Sequence, residues 1–138
     1  MPDRKICDTY SVGGQIVPGD LATLAARGFT SVICNRPDKE VDDANSSQAM
    51  AAEAARRGLR FLYNPISHDG LTAENLRLQA EALEAATGPV FAYCRSGQRS
   101  TLCWSFAMAG TVAVDDIIAC AAAAGFNLEG LRANLGNL

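Results

Sequence analysis

Short apolar runs alternate along this chain with longer amphipathic stretches that end at glycine. Residues 29–34 (FTSVIC), 59–64 (LRFLYN) and 89–93 (PVFAY) read as buried strands. The last of these is short and wholly apolar, as expected for the middle of a parallel sheet. Asp20 can cap a helix carrying Leu21, Leu24 and Ala25, with Gly28 just past its end. Asn45 to Ser47 open an alanine-rich helix that Gly58 ends. Thr72 can cap a long helix with Leu76, Leu78, Ala80, Leu83 and Ala86 on its apolar positions, ended by Gly88. An apolar helix over 100–109, buried all round, and two further helices over 114–124 and 127–135 complete the chain. Strands alternating with helices predict an α/β fold of three layers, a mainly parallel central sheet flanked by helices. The 138 residues suit one domain, 1–138.

Charge and composition then remove several function classes. The formal net charge is −3, and no Lys/Arg block stands out. Nucleic acid is therefore not an expected partner, because such affinity comes from neutralising many phosphates. A small anion needs only one or two cations and stays open. No apolar run is long enough to span a membrane, and the first ten residues contain no apolar signal segment. A cytoplasmic protein without a membrane partner is expected. The five cysteines, Cys7, Cys34, Cys94, Cys103 and Cys120, are odd in number and irregularly spaced. That pattern suits a reducing compartment better than a disulfide scaffold. No C-x-x-C pair occurs and His68 is the single histidine, so no metal and no cofactor are expected.

The chemistry concentrates in Tyr93-Cys94-Arg95-Ser96-Gly97-Gln98-Arg99-Ser100, between an apolar strand and an apolar helix. Ligands of parallel α/β sheets bind at the carboxyl ends of strands, where this loop lies. Backbone N–H groups of Arg95, Ser96, Gly97 and Gln98 can converge on an anion, and the helix N-terminus adds partial positive charge. Gly97 permits the torsions of a tight cradle. Arg99 can offer a planar fork to two oxygens of a phosphate-like group. The same field favours the Cys94 thiolate, the nucleophilic form, and Ser100 could hydrogen-bond the sulfur when it leaves. A buried, inert strand-end cysteine beside a surface arginine is the plainer reading, but it leaves Cys, Gly, Arg and Ser together at one strand-to-helix junction unexplained.

Two families share this design. Cysteine-dependent protein phosphatases place five residues between Cys and Arg, and rhodanese-type sulfurtransferases place four. CRSGQRS has four, so the loop alone resembles a rhodanese, and Tyr93 fits that, since phosphatases usually have His before the cysteine. The front of the chain resembles compact dual-specificity phosphatases, through Val12-Gly13-Gly14-Gln15-Ile16, the helix led by Pro18 and Asp20, and residues 28–38 (GFTSVICNRPD). With Gly88-Pro89-Val90 and the loop, the chain resembles a small bacterial phosphatase-like family. Its members also form the N-terminal part of β-lactamase hydrolase-like fusion proteins, joined to a metallo-β-lactamase-type domain. The resemblance implies a cysteine-phosphatase-like fold and a hydrolase. Its substrate would be a small phosphorylated molecule or a phosphoprotein; a sulfurtransferase would instead meet a sulfur donor and acceptor. A catalytically weak anion-binding module is the third possibility.

Phosphate ester cleavage also needs a proton for the leaving oxygen. Asp69, on a loop ahead of the catalytic strand, is the expected donor, although Asp69-Gly70 is equally a turn pair. His68 could act instead. Arg36 and Asp38 follow a central strand and read as a surface ion pair near the same mouth. The side chain of Arg95 is a candidate for tuning specificity. Cys103 and Cys120 read as packing residues, and Trp104, Phe106 and Met108 as core. Cys34 ends the neighbouring strand and is a possible redox partner of Cys94, against the plainer reading of a buried thiol that never meets it.

Overall fold

The computed structural model describes residues 3–136. Five strands, β1 (Asp3–Cys7), β2 (Tyr10–Gly13), β3 (Ser31–Cys34), β4 (Arg60–Tyr63) and β5 (Val90–Tyr93), form one sheet in the order β1-β2-β5-β3-β4. β1 pairs antiparallel with β2, and every other pairing is parallel. The helices are α1 (Asp20–Ala26), α2 (Ser47–Arg56), α3 (Ala73–Ala85), α4 (Gln98–Met108), α5 (Val114–Ala123) and α6 (Arg132–Gly136).

Side-chain alternation along the strands builds two cores. Val32, Cys34, Phe91 and Tyr93 face Leu21 and Leu24 of α1 and Met50 and Ala54 of α2. Ile33, Val90 and Ala92 face the other way, against Trp104, Ile117, Ile118, Ala121 and Leu135. This is the three-layer, mainly parallel α/β fold that the alternation of elements predicts. A sheet buried on both faces needs strands that are apolar throughout, which is why β3 and β5 are fully buried runs. Among the described residues, no helix is long and apolar enough to cross a membrane.

Several expectations are corrected. The edge hairpin β1–β2 was not expected, because β1 opens with three charged residues in a row, Asp3, Arg4 and Lys5, and has one buried residue, Ile6. Charged residues are what an exposed edge strand carries. Asp20 is the first residue of α1 and not its cap; Gly19 is the cap, and the Asp20 carboxylate accepts from the Val17 N–H at 3.0 Å. α4 begins two residues earlier than expected and is not buried all round, since its first turn carries Gln98 and Arg99. The last expected helix is divided into a 3-10 turn (Glu129–Leu131) and the short α6. Thr72 does cap α3, in a reciprocal box with Asn75.

Candidate active site

β5 delivers Cys94 to the carboxyl end of the sheet. The Cys94 N–H donates to the Gly13 carbonyl at 3.3 Å, so the β2–β5 ladder runs one residue beyond Tyr93. The chain then turns through Arg95, Ser96 and Gly97 into α4. Two glycines make this turn possible. Gly97 has φ +94, and a Cβ there would stand 3.2 Å from Phe126 Cζ and 3.3 Å from Val12 Cγ2. A Cβ on Gly14 would stand 2.9 Å from the Arg95 carbonyl oxygen. The loop is therefore pressed against the end of β2. The Gly97 N–H donates to Cys94 Sγ at 3.1 Å, and Cys94 is only 1 % exposed. The first turn of α4 holds no acidic residue, and no side chain caps it. The Gln98 N–H makes only a long bond, to Ser96 Oγ at 3.4 Å, and the N–H groups of Arg99 and Ser100, with the helix dipole, face an anion in front of the sulfur.

Arg99, on the first turn of α4, is held by three hydrogen bonds. Nη1 donates to Glu40 Oε2 at 3.0 Å and to the Ile66 carbonyl at 2.6 Å, and Nη2 donates to Glu40 Oε1 at 2.7 Å. A guanidinium has five N–H donors. These contacts use the end-on fork and the outer Nη1 hydrogen. The side-on fork, Nε–H with the second Nη2 hydrogen, is left for an incoming pair of oxygens. Glu40 raises the pKa of Arg99, and the neighbouring Cys94 adds to that shift. In turn Arg99 holds the Glu40 carboxyl below the usual carboxylate range. Side-chain exposures of 14 % and 13 % keep this pair out of full solvent screening.

Sequence reasoning did not find Glu40, nor the layer beneath it. Glu40 lies in a 3-10 turn (Asp38–Glu40) and carries no local pattern. Beneath the site, Asn35 Nδ2 donates to the Asn64 carbonyl at 2.9 Å, and Asn64 Nδ2 to the Asn75 carbonyl at 2.9 Å. Asn75 Nδ2 donates to Asn64 Oδ1 and to the Pro65 carbonyl, at 2.7 and 3.0 Å. The Ile66 N–H donates to the Asn35 carbonyl at 3.0 Å. This ladder sets the segment whose Ile66 carbonyl receives Arg99. Near this ladder the sequence pointed only to Thr72 as the cap of α3, a cap that Asn75 completes.

The remaining candidates fall into place around the loop. Ser100 is fully buried, and its Oγ has no hydrogen-bond partner. Its carbonyl accepts from the Tyr10 hydroxyl at 2.8 Å. Arg95, Ser96 and Gln98 are exposed and, with Arg99, line a cavity of about 320 Å³ shared with Ile66, Ser67, His68, Gly70, Leu71 and Leu102. Asp69 is exposed and is not among the lining residues; its neighbour His68 is, with Nε2 3.7 Å from Glu40 Oε2. Arg36 does not pair with Asp38. It reaches Glu40 at 3.3 Å and Gln15 Oε1 at 3.3 Å, while Asp38 accepts from the N–H and hydroxyl of Ser47 at 2.7 Å each. Cys34 lies level with Tyr93 in the sheet and packs on its face. Alternation turns the next residue, Cys94, away from that face. The Cys34 thiol donates to the Arg36 carbonyl at 3.3 Å, and burial pushes its pKa up, both of which oppose a redox pairing. Cys103 is buried, and its thiol is pushed up to about 12. Trp104 is core, whereas Phe106, Met108 and Cys120 are half-buried at its margin. Among the described residues, no group of three or more His, Cys, Asp or Glu is arranged to hold a metal ion.

Residues 3–111 match the family model for the phosphatase-like domain of beta-lactamase hydrolase-like protein. The chain is 34 % identical over 98 residues to a beta-lactamase hydrolase-like protein of Agrobacterium fabrum, an alignment covering 70 % of this chain and 22 % of the relative. It is 27 % identical over 125 residues to the beta-lactamase hydrolase-like protein of Xylella fastidiosa, covering 89 % and 29 %. The chain thus spans less than a third of these relatives' length. Among solved structures, it is similar to a candidate phosphatase of Neisseria meningitidis at a TM-score of 0.79 and 31 % identity, covering 97 % of this chain and 96 % of that one.

Proposed function

Since the chain belongs to the phosphatase-like family of the beta-lactamase hydrolase-like proteins, we propose that it hydrolyses phosphate monoesters with Cys94 as the nucleophile. The observation that carries this reading is the placement of Cys94 Sγ. It accepts the Gly97 N–H at 3.1 Å, at a helix N-terminus, beside an arginine with one fork still free. In the first step Cys94 Sγ attacks phosphorus, an S–P bond forms and the ester P–O bond breaks. The equatorial oxygens lie among the loop N–H groups and on the Nε–H/Nη2–H fork of Arg99. The leaving oxygen takes a proton from the Ser67–Gly70 turn, where Asp69 and His68 are the two titratable groups. Water then attacks phosphorus and the S–P bond breaks, releasing inorganic phosphate and the thiolate. The unpartnered Ser100 Oγ supplies a hydrogen-bond donor for that thiolate.

The four-residue spacing from Cys94 to Arg99 supports a second reading, a sulfurtransferase that carries a persulfide on Cys94. One paired assay separates the two: aryl phosphate hydrolysis beside thiosulfate-to-cyanide sulfur transfer, each with wild type and Cys94→Ser. Hydrolysis that depends on Cys94, without sulfur transfer, is expected. Cys94-dependent sulfur transfer alone would replace the first reading with the second.

A further inference from the structure

The cavity beside the loop has walls of two kinds. Ile66, Leu71 and Leu102 give apolar surface, while Arg95, Arg99 and His68 give basic tips, and no acidic side chain lines it. Its volume of about 320 Å³ exceeds the roughly 150 Å³ that holds a benzene molecule. A six-membered ring with a substituent therefore fits. Arg99 is committed to Glu40, to Ile66 and to the reacting anion. Arg95 is not: among the described residues, it has no hydrogen-bonded or ion-paired side-chain partner, and it is exposed at the rim. Its backbone is nevertheless fixed, because the Arg95 carbonyl is pressed against Gly14. A guanidinium with unused donors, carried on a fixed backbone at the rim of a partly apolar cavity, suits an anion attached to a ring-sized apolar group.

We infer that this cavity is a leaving-group subsite for phosphate monoesters of a ring-sized apolar alcohol bearing a second anion, and that Arg95 reads the second charge. The inference rests on the phosphatase reading for the position of the first phosphate. With that phosphate in the loop, the ring lies along Ile66, Leu71 and Leu102, and the second anion reaches Arg95. A neutral substituent of the same shape leaves Arg95 in water and gains nothing from it. Because Arg95 is exposed, the discrimination is modest and weakens as salt is added.

The test compares para-carboxyphenyl phosphate with its neutral isostere, para-carbamoylphenyl phosphate. Equilibrium binding of each to the full chain carrying Cys94→Ser is measured by calorimetry at low ionic strength. The charged ester should bind about fivefold more tightly. Adding Arg95→Ala should bring that ratio to about one, and adding Arg95→Glu should invert it. Equal binding of both esters to all three proteins, or binding of neither, overturns the inference. Turnover by wild type is read separately. A charged-ester preference that depends on Arg95, without any hydrolysis, would leave the subsite standing and remove the phosphatase reading. Hydrolysis of both esters without an Arg95-dependent preference would do the reverse.

Discussion

The two ends of the sheet each carry a cavity, and they differ in kind. At the amino end of β5 lies the larger, about 550 Å³, lined by Cys7, Pro89, Val90, Trp104, Met108 and Cys120 among others. It has no charged side chain, and burial pushes the Cys120 thiol up. At the carboxyl end lies the smaller, about 320 Å³, where Arg95, Arg99 and His68 converge on the loop after Cys94. Volume follows how helices happen to meet. Chemistry follows where strand ends, a helix N-terminus and paired charges coincide. Both ends have cysteines, but only Cys94 receives a backbone N–H from a helix start.

The largest expected effect tests this contrast directly. Cys94→Ser should lower kcat for an activated aryl phosphate by about four orders of magnitude or more, because it removes the thiolate and little volume. The double variant Cys7→Ser/Cys120→Ser, at the other end, should keep kcat/KM within about twofold. Steady-state kinetics on both proteins, with circular dichroism to show that each folds, decides the matter. Comparable losses at the two ends would erase the distinction.

Next in size is Arg99→Lys, expected to lower kcat by about a hundred- to a thousandfold. Lysine keeps the charge but has no planar fork. It cannot hold Glu40 and two transition-state oxygens at once. A lysine variant with most of its kcat would show that charge alone suffices at the carboxyl end.

Glu40→Gln should act through Arg99. One amide oxygen can still accept from Nη1 or Nη2, but the two-point clamp is lost. A fall in kcat of roughly tenfold with a smaller change in KM is expected, and Glu40→Asp should recover part of it. Acid stability gives a second readout. Glu40 has its carboxyl pKa lowered, chiefly by Arg99, so the unfolded chain binds the proton first as pH falls. The stabilisation is complete above the ordinary carboxylate value, about 4.3, and is lost as pH drops through the depressed one. Urea midpoints across the acid range should therefore decline less steeply in Glu40→Gln. Identical acid profiles, with unchanged kcat, would reduce Glu40 to a bystander.

Which parts were legible in the sequence has a physical reason. Apolar period and glycine stops are local, so β3, β4, β5 and the helices from α1 to α5 could be read to within a few residues. The loop from Cys94 to Ser100 was legible because all its parts are contiguous. Glu40 and the Asn35–Asn64–Asn75 ladder were not, because their partners lie 59 residues away for Glu40–Arg99 and 29 for Asn35–Asn64. Nothing in a short window distinguishes those residues from ordinary loop polars. β1 was missed because an exposed edge strand is charged, which in one dimension resembles a polar terminus. For Cys34 the sequence leaves a redox partner and a buried thiol both open, because two strand-end thiols look adjacent until register and alternation are known.

The smallest expected effect concerns the turn over the cavity, and it sharpens the picture of the carboxyl end itself. Asp69 and His68 are neighbours in sequence but not in placement. His68 lines the cavity and stands 3.7 Å from Glu40, whereas Asp69 is exposed and outside the lining. A group that protonates the leaving oxygen has to be within hydrogen-bond reach of it or one water away. On that ground His68→Asn should have the larger effect of the two. With an activated aryl phosphate, whose leaving group departs without a proton, either substitution should change kcat by about threefold or less. With an alkyl phosphate, His68→Asn should lower kcat by up to about a hundredfold, and Asp69→Asn by much less. The measurement is the slope of log kcat against leaving-group pKa for wild type and both variants. A slope that steepens with Asp69→Asn and not with His68→Asn would assign the proton to Asp69 and require the turn to swing inward over bound substrate. Parallel slopes in all three proteins would mean that water supplies the proton, and that the turn serves only as a wall.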